Sequence, residues 1–246
     1  MTPERIEADV LVAGGGVAGL TAAAAFARAG FAVVCVDPAP PAGGPGDADA
    51  DLRSTAFLRP SVELLRRAGL WERLEAHAAP LRVMRIADTG GDAGTIRDTA
   101  DFAAEELGLD GFGHNLPNWL LRREMAAHLG ALPGARLIAP GRVEALTPRS
   151  AEVLVRLSGG RQARVRLVVG ADGRDSFVRE AVGIAARRWG YGQKALVFTV
   201  AHELPHRDVS IEIHRSGGPF TLAPLPDRDG LPASAVVWME EGSRAR

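Results

Sequence analysis

The sequence predicts an α/β fold followed by a region made mainly of strands, and three observations lead to this expectation. An apolar run of β type at 9–13 leads into a cluster of glycines and then into an alanine-rich, helix-favouring segment at 20–29. A second apolar run at 32–36 completes a β-α-β unit, for which we expect a right-handed crossover. After residue 195, four apolar segments are separated by turn residues, which is typical of β structure.

The rest of the chain gives further elements in order. Proline and glycine dominate 38–51, which predicts a loop, and a change of composition near Tyr191 predicts a domain boundary. The remaining predicted elements are helices at 61–74, interrupted near Gly69, and at 121–132, a hairpin connection at 88–94, and strands at 143–157 and 163–169.

The composition excludes several classes of protein. Hydrophobic residues make up 46% and charged residues 24%, which is ordinary for a globular chain and argues against disorder. The 29 basic and 30 acidic residues give a net charge of −1, so the overall charge indicates no nucleic-acid partner. The single cysteine, Cys35, excludes an internal disulfide and a cysteine-cluster metal site.

Two segments bear on where the protein acts. The start of the chain has more acid than base and lacks the basic-then-apolar order of a secretory signal. The uncharged run at 10–27 has 18 residues, the lower limit for a membrane span, but four glycines interrupt it. A strand, a glycine turn and a helix explain this run better, so we expect a cytoplasmic protein.

Three glycines form a G-x-G-x-x-G motif where the first predicted strand meets the first helix. Gly14 permits a tight turn, Gly16 lets the backbone approach a pyrophosphate, and Gly19 lets helix and strand pack closely. The helix N-terminus faces the anion, and Asp37, which ends the next strand, accepts hydrogen bonds from ribose hydroxyls. A glycine-rich turn without a ligand is the alternative, but the surrounding strand, helix and acid favour a dinucleotide site.

A second glycine motif follows the strand predicted at 163–169. The sequence Gly-Ala-Asp-Gly at 170–173 leads from that strand into a helix. Taken alone, Asp172 and Gly173 form a good turn, and Ser176 or Asp175 could cap the helix, so the segment by itself needs no ligand.

A third signal combines two short segments. Asp51-Leu52-Arg53 precedes the helical segment LLRRAGLW at 64–71, and Asn118 opens the stretch N-W-L-L-R-R. By itself Arg53 is equally well explained as a solvated loop arginine.

Together, these ordered motifs resemble the group A flavoprotein monooxygenases, and within them the branch of ubiquinone-biosynthesis hydroxylases. The resemblance covers essentially the whole chain and implies the p-hydroxybenzoate hydroxylase-type fold. It implies a Rossmann-like FAD-binding domain at 1–190, part of which, at 76–115, faces the substrate side. Residues 191–246 are then the start of a β-rich substrate-binding domain that is incomplete.

The same resemblance implies a cofactor site for FAD. In that family the Gly-Ala-Asp-Gly segment touches the flavin and the nicotinamide donor, and the arginine of the D-x-R segment lies against the flavin. The polar residue that Asn118 matches also contacts the cofactor. The implied cofactor-binding residues are Gly14, Gly16, Gly19, Asp37, Arg53, Asn118, Asp172 and Gly173.

The activity implied is hydroxylation of the aromatic ring of a polyprenylphenol-type ubiquinone precursor, with NAD(P)H as electron donor and O₂ as oxidant. We assign no catalytic residue, because the hard chemistry belongs to the cofactor. The polyprenyl tail implies peripheral contact with the inner membrane or with a biosynthetic complex, although no basic amphipathic helix supports such contact. We expect no nucleic-acid partner.

One motif of the family has no counterpart in this chain. Family members are longer and carry a G-D-A-A-H-like segment that binds the ribityl chain, and nothing after Tyr191 matches it. We therefore expect a truncated or split chain, and a non-catalytic FAD-binding fragment is the alternative function. A nicotinamide-only oxidoreductase would explain the first motif but leaves Gly-Ala-Asp-Gly and Asp-Leu-Arg unexplained.

A further pattern, H-E-x-x-H at His202–His206, is typical of zinc proteases. That chemistry needs both histidines on one face of a helix, and Pro205 would cost such a helix about 3 kcal/mol or more. The preceding residues are strand-like, so we predict a strand end and no metal site.

Overall fold

The computed structural model describes residues 4–90, 95–215 and 218–244. These residues form two compact units, each assembled from separate stretches of the chain. The first unit contains the residues up to Ala50, Leu64–Leu74 and Trp119–Arg187. The second contains Asp51–Glu63, Glu75–Asn118 and the residues from Arg188 onward.

A parallel four-stranded sheet lies in the first unit. The strand order is β13-β2-β3-β9, and every neighbouring pair is parallel. The strands are β2 (Val10–Ala13), β3 (Val33–Val36), β9 (Ala135–Ile138) and β13 (Leu167–Gly170). Every side chain of β2 and β3 is buried, as expected for strands covered on both faces, so the two apolar runs form the predicted strands.

Helix α1 (Val17–Arg28) follows β2 and contacts β2, β3 and β9. Its buried residues recur at spacings of three and four, which places them on one face of the helix. They are Gly19, Leu20, Ala23, Ala24 and Ala27. The helix begins three residues before the predicted start at residue 20, because the glycine-rich first turn hides the helical pattern.

A second sheet completes the β structure of the first unit. Its order is β1-β12-β11-β10, with β1 and β12 parallel and the other pairs antiparallel. The strands are β1 (Arg5–Glu7), β10 (Val143–Pro148), β11 (Val153–Leu157) and β12 (Gln162–Val165). Apolar side chains from both sheets share one core cluster, which includes Leu11, Val34, Leu157 and Val165.

Among the described residues, four more α-helices follow α1. They are α2 (Arg59–Arg67), α3 (Trp71–Leu74), α4 (Asn118–Ala131) and α5 (Phe177–Ala181). The predicted helix at 61–74 is thus two helices separated around Gly69, whose φ of +73° lies in the left-handed region. Helix α4 begins directly after Pro117, three residues before the predicted start, and proline is well tolerated just ahead of a helix's first turn.

The second unit contains a six-stranded sheet in the order β14-β17-β16-β15-β6-β7. Only β15 and β6 are parallel among its neighbouring pairs. The strands are β6 (Val83–Asp88), β7 (Asp98–Ala103), β14 (Gln193–Ala201), β15 (Val209–His214), β16 (Phe220–Arg228) and β17 (Leu231–Glu241). The last four correspond to the four apolar segments predicted after residue 195.

The chain reverses direction between β6 and β7, which are antiparallel neighbours. The hairpin connection predicted at 88–94 falls in this reversal, although 91–94 lie outside the described residues.

A three-stranded sheet, in the order β4-β8-β5, also belongs to the second unit. Its strands are β4 (Ser54–Leu58), β5 (Ala79–Leu81) and β8 (Gly113–Pro117). The side-chain amide of Asn115, a residue that is 1% exposed, donates a 2.9 Å hydrogen bond to the Pro224 carbonyl oxygen of β16. This bond satisfies a buried polar group and ties the two sheets of the unit together.

Within the described ranges, no helix is both long enough and apolar enough to cross a membrane.

Candidate functional site

Two glycines of the first motif are required by packing. Gly14 has a φ of +107°, and a Cβ there would overlap the carbonyl oxygen of Ala171. A Cβ on Gly19 would overlap the carbonyl oxygen of Gly14. The turn after β2 therefore fits closely against both α1 and the second motif, which explains these two glycines without a ligand.

Gly16 differs from Gly14 and Gly19, because no contact with a protein atom requires a glycine at this position. Its φ of −78° is accessible to any residue, and a Cβ there would meet nothing within 4 Å. Gly16 is also the N-cap of α1, where no side chain caps the helix and no acid lies in the first turn. An open space beside an uncapped helix N-terminus fits a bound anion such as the pyrophosphate of FAD.

Asp37 follows β3 and binds the glycine turn directly. Its Oδ2 accepts a 2.6 Å hydrogen bond from the Gly15 backbone N–H, and its Oδ1 accepts one of 3.0 Å from the Ala39 N–H. The side chain is 14% exposed. The carboxylate therefore lies at the edge of the turn, where the spacing of the motif predicts the ribose-binding acid.

Arg122 of α4 contacts the same place, a role that no local pattern in the sequence predicts. Its Nε donates a 3.0 Å hydrogen bond to the Gly15 carbonyl oxygen. Its Nη2 donates to Asp37 Oδ1 at 3.0 Å and to the Ala39 carbonyl oxygen at 3.1 Å. Arg122 lies 85 residues from Asp37 and 107 from Gly15, so no local spacing predicts the contact.

The second glycine motif lies beside the first. Strand β13 pairs in parallel with β2, with Gly170 opposite Ala13, and the Ala171 N–H donates a 2.7 Å hydrogen bond to the Ala13 carbonyl oxygen. Gly173 has a φ of +91° and open space where a Cβ would lie. The structure thus brings the two motifs together at the carboxyl ends of neighbouring parallel strands, the usual place for ligands in α/β sheets.

The side chain of Asp172 is engaged within its own motif. One carboxylate oxygen accepts a hydrogen bond from the Ser176 hydroxyl, and the other accepts one of 3.0 Å from the Val178 N–H. Ser176 in turn caps α5 by accepting a 3.0 Å hydrogen bond from the Arg179 N–H. The turn-and-cap explanation therefore accounts for these side chains, with Ser176 rather than Asp175 as the cap.

Arg53 and Asn118 belong to the second unit, where both bind Asp51. Arg53 forms a bidentate pair with Asp51, with N–O distances of 2.8 and 2.7 Å. The Asn118 amide donates to Asp51 at 3.0 Å and accepts a 2.6 Å hydrogen bond from the Thr55 hydroxyl. The sequence predicts Arg53 and Asn118 as site residues. It does not predict that both bind Asp51, or that Thr55 binds Asn118.

The Arg53 guanidinium sets the charge state of this cluster. Its hydrogen bonds hold the pKa of the Asp51 carboxyl at about 2, with smaller contributions from Asn118 and the Arg53 N–H, while burial opposes the shift. The same pair raises the pKa of Arg53. Both side chains are therefore charged at neutral pH. The Arg53 side chain is nevertheless 66% exposed to solvent.

Six of the eight predicted cofactor residues lie in the first unit, around the ends of β2, β3 and β13. They are Gly14, Gly16, Gly19, Asp37, Asp172 and Gly173. The other two, Arg53 and Asn118, lie in the second unit.

The H-E-x-x-H pattern is not helical. The residues from His202 to His206 follow the end of β14, and the His202 ring is hydrogen-bonded to the Leu204 carbonyl and the Ser234 hydroxyl. Across the described parts of the chain, no group of three or more His, Cys, Asp or Glu side chains is placed to hold a metal ion.

Cys35 is a packing residue of β3. It is fully buried, and burial, followed by the nearby Asp37 carboxylate, raises its thiol pKa to about 12. A thiol with this pKa is a poor nucleophile at neutral pH.

Comparison with known protein families gives one match over nearly the whole chain. Residues 7–237 match the family described as FAD binding domain.

Comparison with curated proteins gives relatives involved in ubiquinone hydroxylation. The chain is 39% identical over 233 residues to ubiquinone hydroxylase UbiL of Rhodospirillum rubrum, covering 95% of this chain and 52% of the relative. It is 31% identical over 241 residues to 3-demethoxyubiquinol 3-hydroxylase of Escherichia coli, covering 97% of this chain and 59% of the relative. The chain thus spans between half and three-fifths of the length of these relatives.

Solved structures share the fold. PqsL of Pseudomonas aeruginosa superposes with a TM-score of 0.78 at 24% identity, covering 98% of this chain and 62% of that one. The p-nitrophenol 4-monooxygenase PnpA of Pseudomonas putida gives 0.76 at 22% identity, covering 97% and 58%. The fold is therefore the α/β fold of the p-hydroxybenzoate hydroxylase type.

Proposed function

The chain belongs to the family of FAD-binding domains, and from this premise we propose that it forms the cofactor-binding part of a flavin-dependent monooxygenase. The observation that carries the proposal is the open space at Gly16, which neither packing nor backbone conformation explains. A bound pyrophosphate explains it, since the space adjoins an uncapped helix N-terminus and the turn held by Asp37.

The residues of the first unit would hold the dinucleotide part of FAD. The turn from Gly14 to Gly19 and the N-terminus of α1 would bind the pyrophosphate, and Asp37 would accept a ribose hydroxyl. Gly173 would allow close approach of the backbone beside them. Asp172 would act indirectly, because its carboxylate is occupied in shaping the motif.

Arg53 and Asn118 of the second unit would contact the flavin side of the cofactor. Their pairing with Asp51 supports this role, because it keeps the guanidinium and the amide in defined orientations. The second unit would also provide the start of the substrate-binding sheet.

The substrate we propose is the aromatic ring of a polyprenylphenol-type ubiquinone precursor. The names of the two relatives support this choice. When bound, FAD would supply the redox chemistry for transfer of one oxygen atom from O₂ to the ring, with NAD(P)H as the electron donor. The chain's own residues would bind and orient the cofactor. The polyprenyl tail implies a peripheral position at the inner membrane.

Replacing Gly16 by valine tests whether the open space at this position holds the pyrophosphate. The side chain would fill the space beside the turn, so we expect FAD binding to weaken roughly 10- to 100-fold while the fold is unchanged. Fluorescence titration measures the affinity. Gly130→Val is the matched control, because Gly130 lies on α4 and a Cβ there also meets nothing within 4 Å. Equal FAD affinity for Gly16→Val and the wild-type chain would refute the pyrophosphate assignment.

Product analysis tests the reaction itself. The flavin-loaded chain is given NAD(P)H, O₂ and a short-chain polyprenylphenol, and we expect a hydroxylated product that forms only with substrate present. Flavin binding without product would restrict the proposal to cofactor binding and return the non-catalytic alternative.

A further inference from the structure

Arg122 ties together three pieces of the first unit that the sequence keeps far apart. Its three hydrogen bonds join α4 to the glycine turn through the Gly15 carbonyl and to the segment after β3 through Asp37 and Ala39. The Arg122 side chain is 19% exposed and that of Asp37 is 14% exposed, so water competes little for either charge. The pair is therefore fixed more firmly than a surface ion pair.

The hydrogen bonds of the Asp37 carboxylate leave little free capacity. A carboxylate has about four lone-pair positions. Oδ1 uses two of them, for Arg122 Nη2 and the Ala39 N–H, and Oδ2 uses one for the Gly15 N–H. One position on Oδ2 is left for a ligand, so Asp37 as oriented here accepts one ribose hydroxyl rather than two.

Charge gives Arg122 a second effect on the same ligand. A pyrophosphate beside the glycine turn would lie close to the negative Asp37 carboxylate, and the two would repel each other. The guanidinium neutralises Asp37 locally and so removes most of this repulsion. Without Arg122, the turn would hold an uncompensated, largely buried carboxylate next to an anionic ligand.

We propose that Arg122 is a positioning residue for the adenosine half of the cofactor, which orients the Asp37 carboxylate toward a single ribose hydroxyl. This inference rests on the proposed function, because it takes the ligand to be FAD. Arg122 acts through Asp37 and Gly15 and needs no contact with the ligand.

The test compares ADP with 2′,3′-dideoxy-ADP as probes for the adenosine half, using calorimetry on the full chain. We expect Arg122→Met to weaken ADP roughly tenfold more than it weakens dideoxy-ADP, because repulsion of the pyrophosphate affects both probes and the ribose contact affects ADP alone. A merely structural role would weaken both probes equally. Arg123→Met is the matched control, because Arg123 is the next residue of α4 and contacts Glu124 and Gly43 instead.

A second variant guards against loss of folding. Arg122→Lys keeps the charge, but one ammonium group cannot reproduce the planar fork of the guanidinium at three acceptors. We expect Arg122→Lys to weaken ADP more than dideoxy-ADP, as Arg122→Met does, but by a smaller factor. In the Asp37→Ala background, Arg122→Met should have little further effect on ADP affinity.

Two outcomes separate this inference from the proposed function. If the wild-type chain binds FAD but the arginine variants weaken both ADP probes equally, or not at all, the role of Arg122 is wrong and the FAD site stands. If the wild-type chain binds neither FAD nor ADP, both proposals are overturned.

Discussion

Gly14 and Gly16 stand two residues apart in one motif, yet the structure gives them different reasons to be glycine. Gly14 has a positive φ and lies against Ala171, so the protein itself requires it. Gly16 has an ordinary φ and open space around it, so only a ligand gives a reason for its missing side chain. A motif match alone cannot make this distinction, because it depends on backbone atoms of Ala171, which directly follows β13 and lies 157 residues after Gly14.

The side chains of the site differ in how far spacing predicts them. Asp37 follows from its place at the end of the second strand, and the structure puts its carboxylate on the glycine turn. Arg122 does not follow from any spacing, because its partners belong to distant segments. Asp172 is the residue that its motif predicts, but its carboxylate accepts hydrogen bonds from the neighbouring Ser176 and Val178.

The Asp51–Arg53 pair predicts a dependence of stability on acid. The folded-state pKa of Asp51, about 2, lies below its usual value of 3.8, so its stabilising contribution is complete above the usual value. The contribution is lost as the pH falls through the folded pKa. We expect Asp51→Asn to lower the free energy of unfolding by about 0.5–1 kcal/mol at pH 6, a small value because Arg53 is exposed.

Urea unfolding at a series of pH values checks this. The difference between wild type and Asp51→Asn should shrink as the pH falls from 5 toward 2.5. Asp110→Asn is the control, since Asp110 forms a single, highly exposed contact with Arg59. A difference that stays constant over this pH range would show that Asp51 is not the group responsible.

At the scale of elements, the sequence predicts helices and strands that have long apolar patterns, and it does not predict the short strands. The sequence predicts β2, α1 and β3, because buried strands and an alanine-rich helix leave clear patterns over several residues. Strands β4, β5 and β8 have three to five residues and no clear apolar alternation. They form because distant partners pair with them, and this information is not local.

Helix α5 has only five residues, so its N-cap should matter to its stability. Ser176→Ala removes the hydroxyl that binds the Arg179 N–H and also removes a partner of Asp172. We expect a loss of about 1–2 kcal/mol in the free energy of unfolding, measured by urea denaturation. Ser150→Ala, at an exposed turn of the same unit, should change it by less than about 0.5 kcal/mol. Equal effects of the two substitutions would contradict the capping role.

At the scale of the whole molecule, each unit is assembled from segments that alternate along the chain. The change of composition near Tyr191 lies close to the last crossing between units, at Arg187 and Arg188. The earlier crossings near residues 50, 63, 74 and 118 leave no such change, because both units use mixed helices and strands there. Discontinuous units of this kind are visible in contacts but not in composition.

The most direct test is whether the purified chain holds FAD. The chain is incubated with excess FAD and passed through a gel-filtration column, and the visible spectrum of the protein peak is recorded beside its circular dichroism. We predict that flavin co-elutes with the folded chain at about one FAD per chain, and that Gly16→Val retains clearly less flavin. A folded wild-type chain that elutes free of flavin would contradict the assignment of the glycine turn as a working cofactor site.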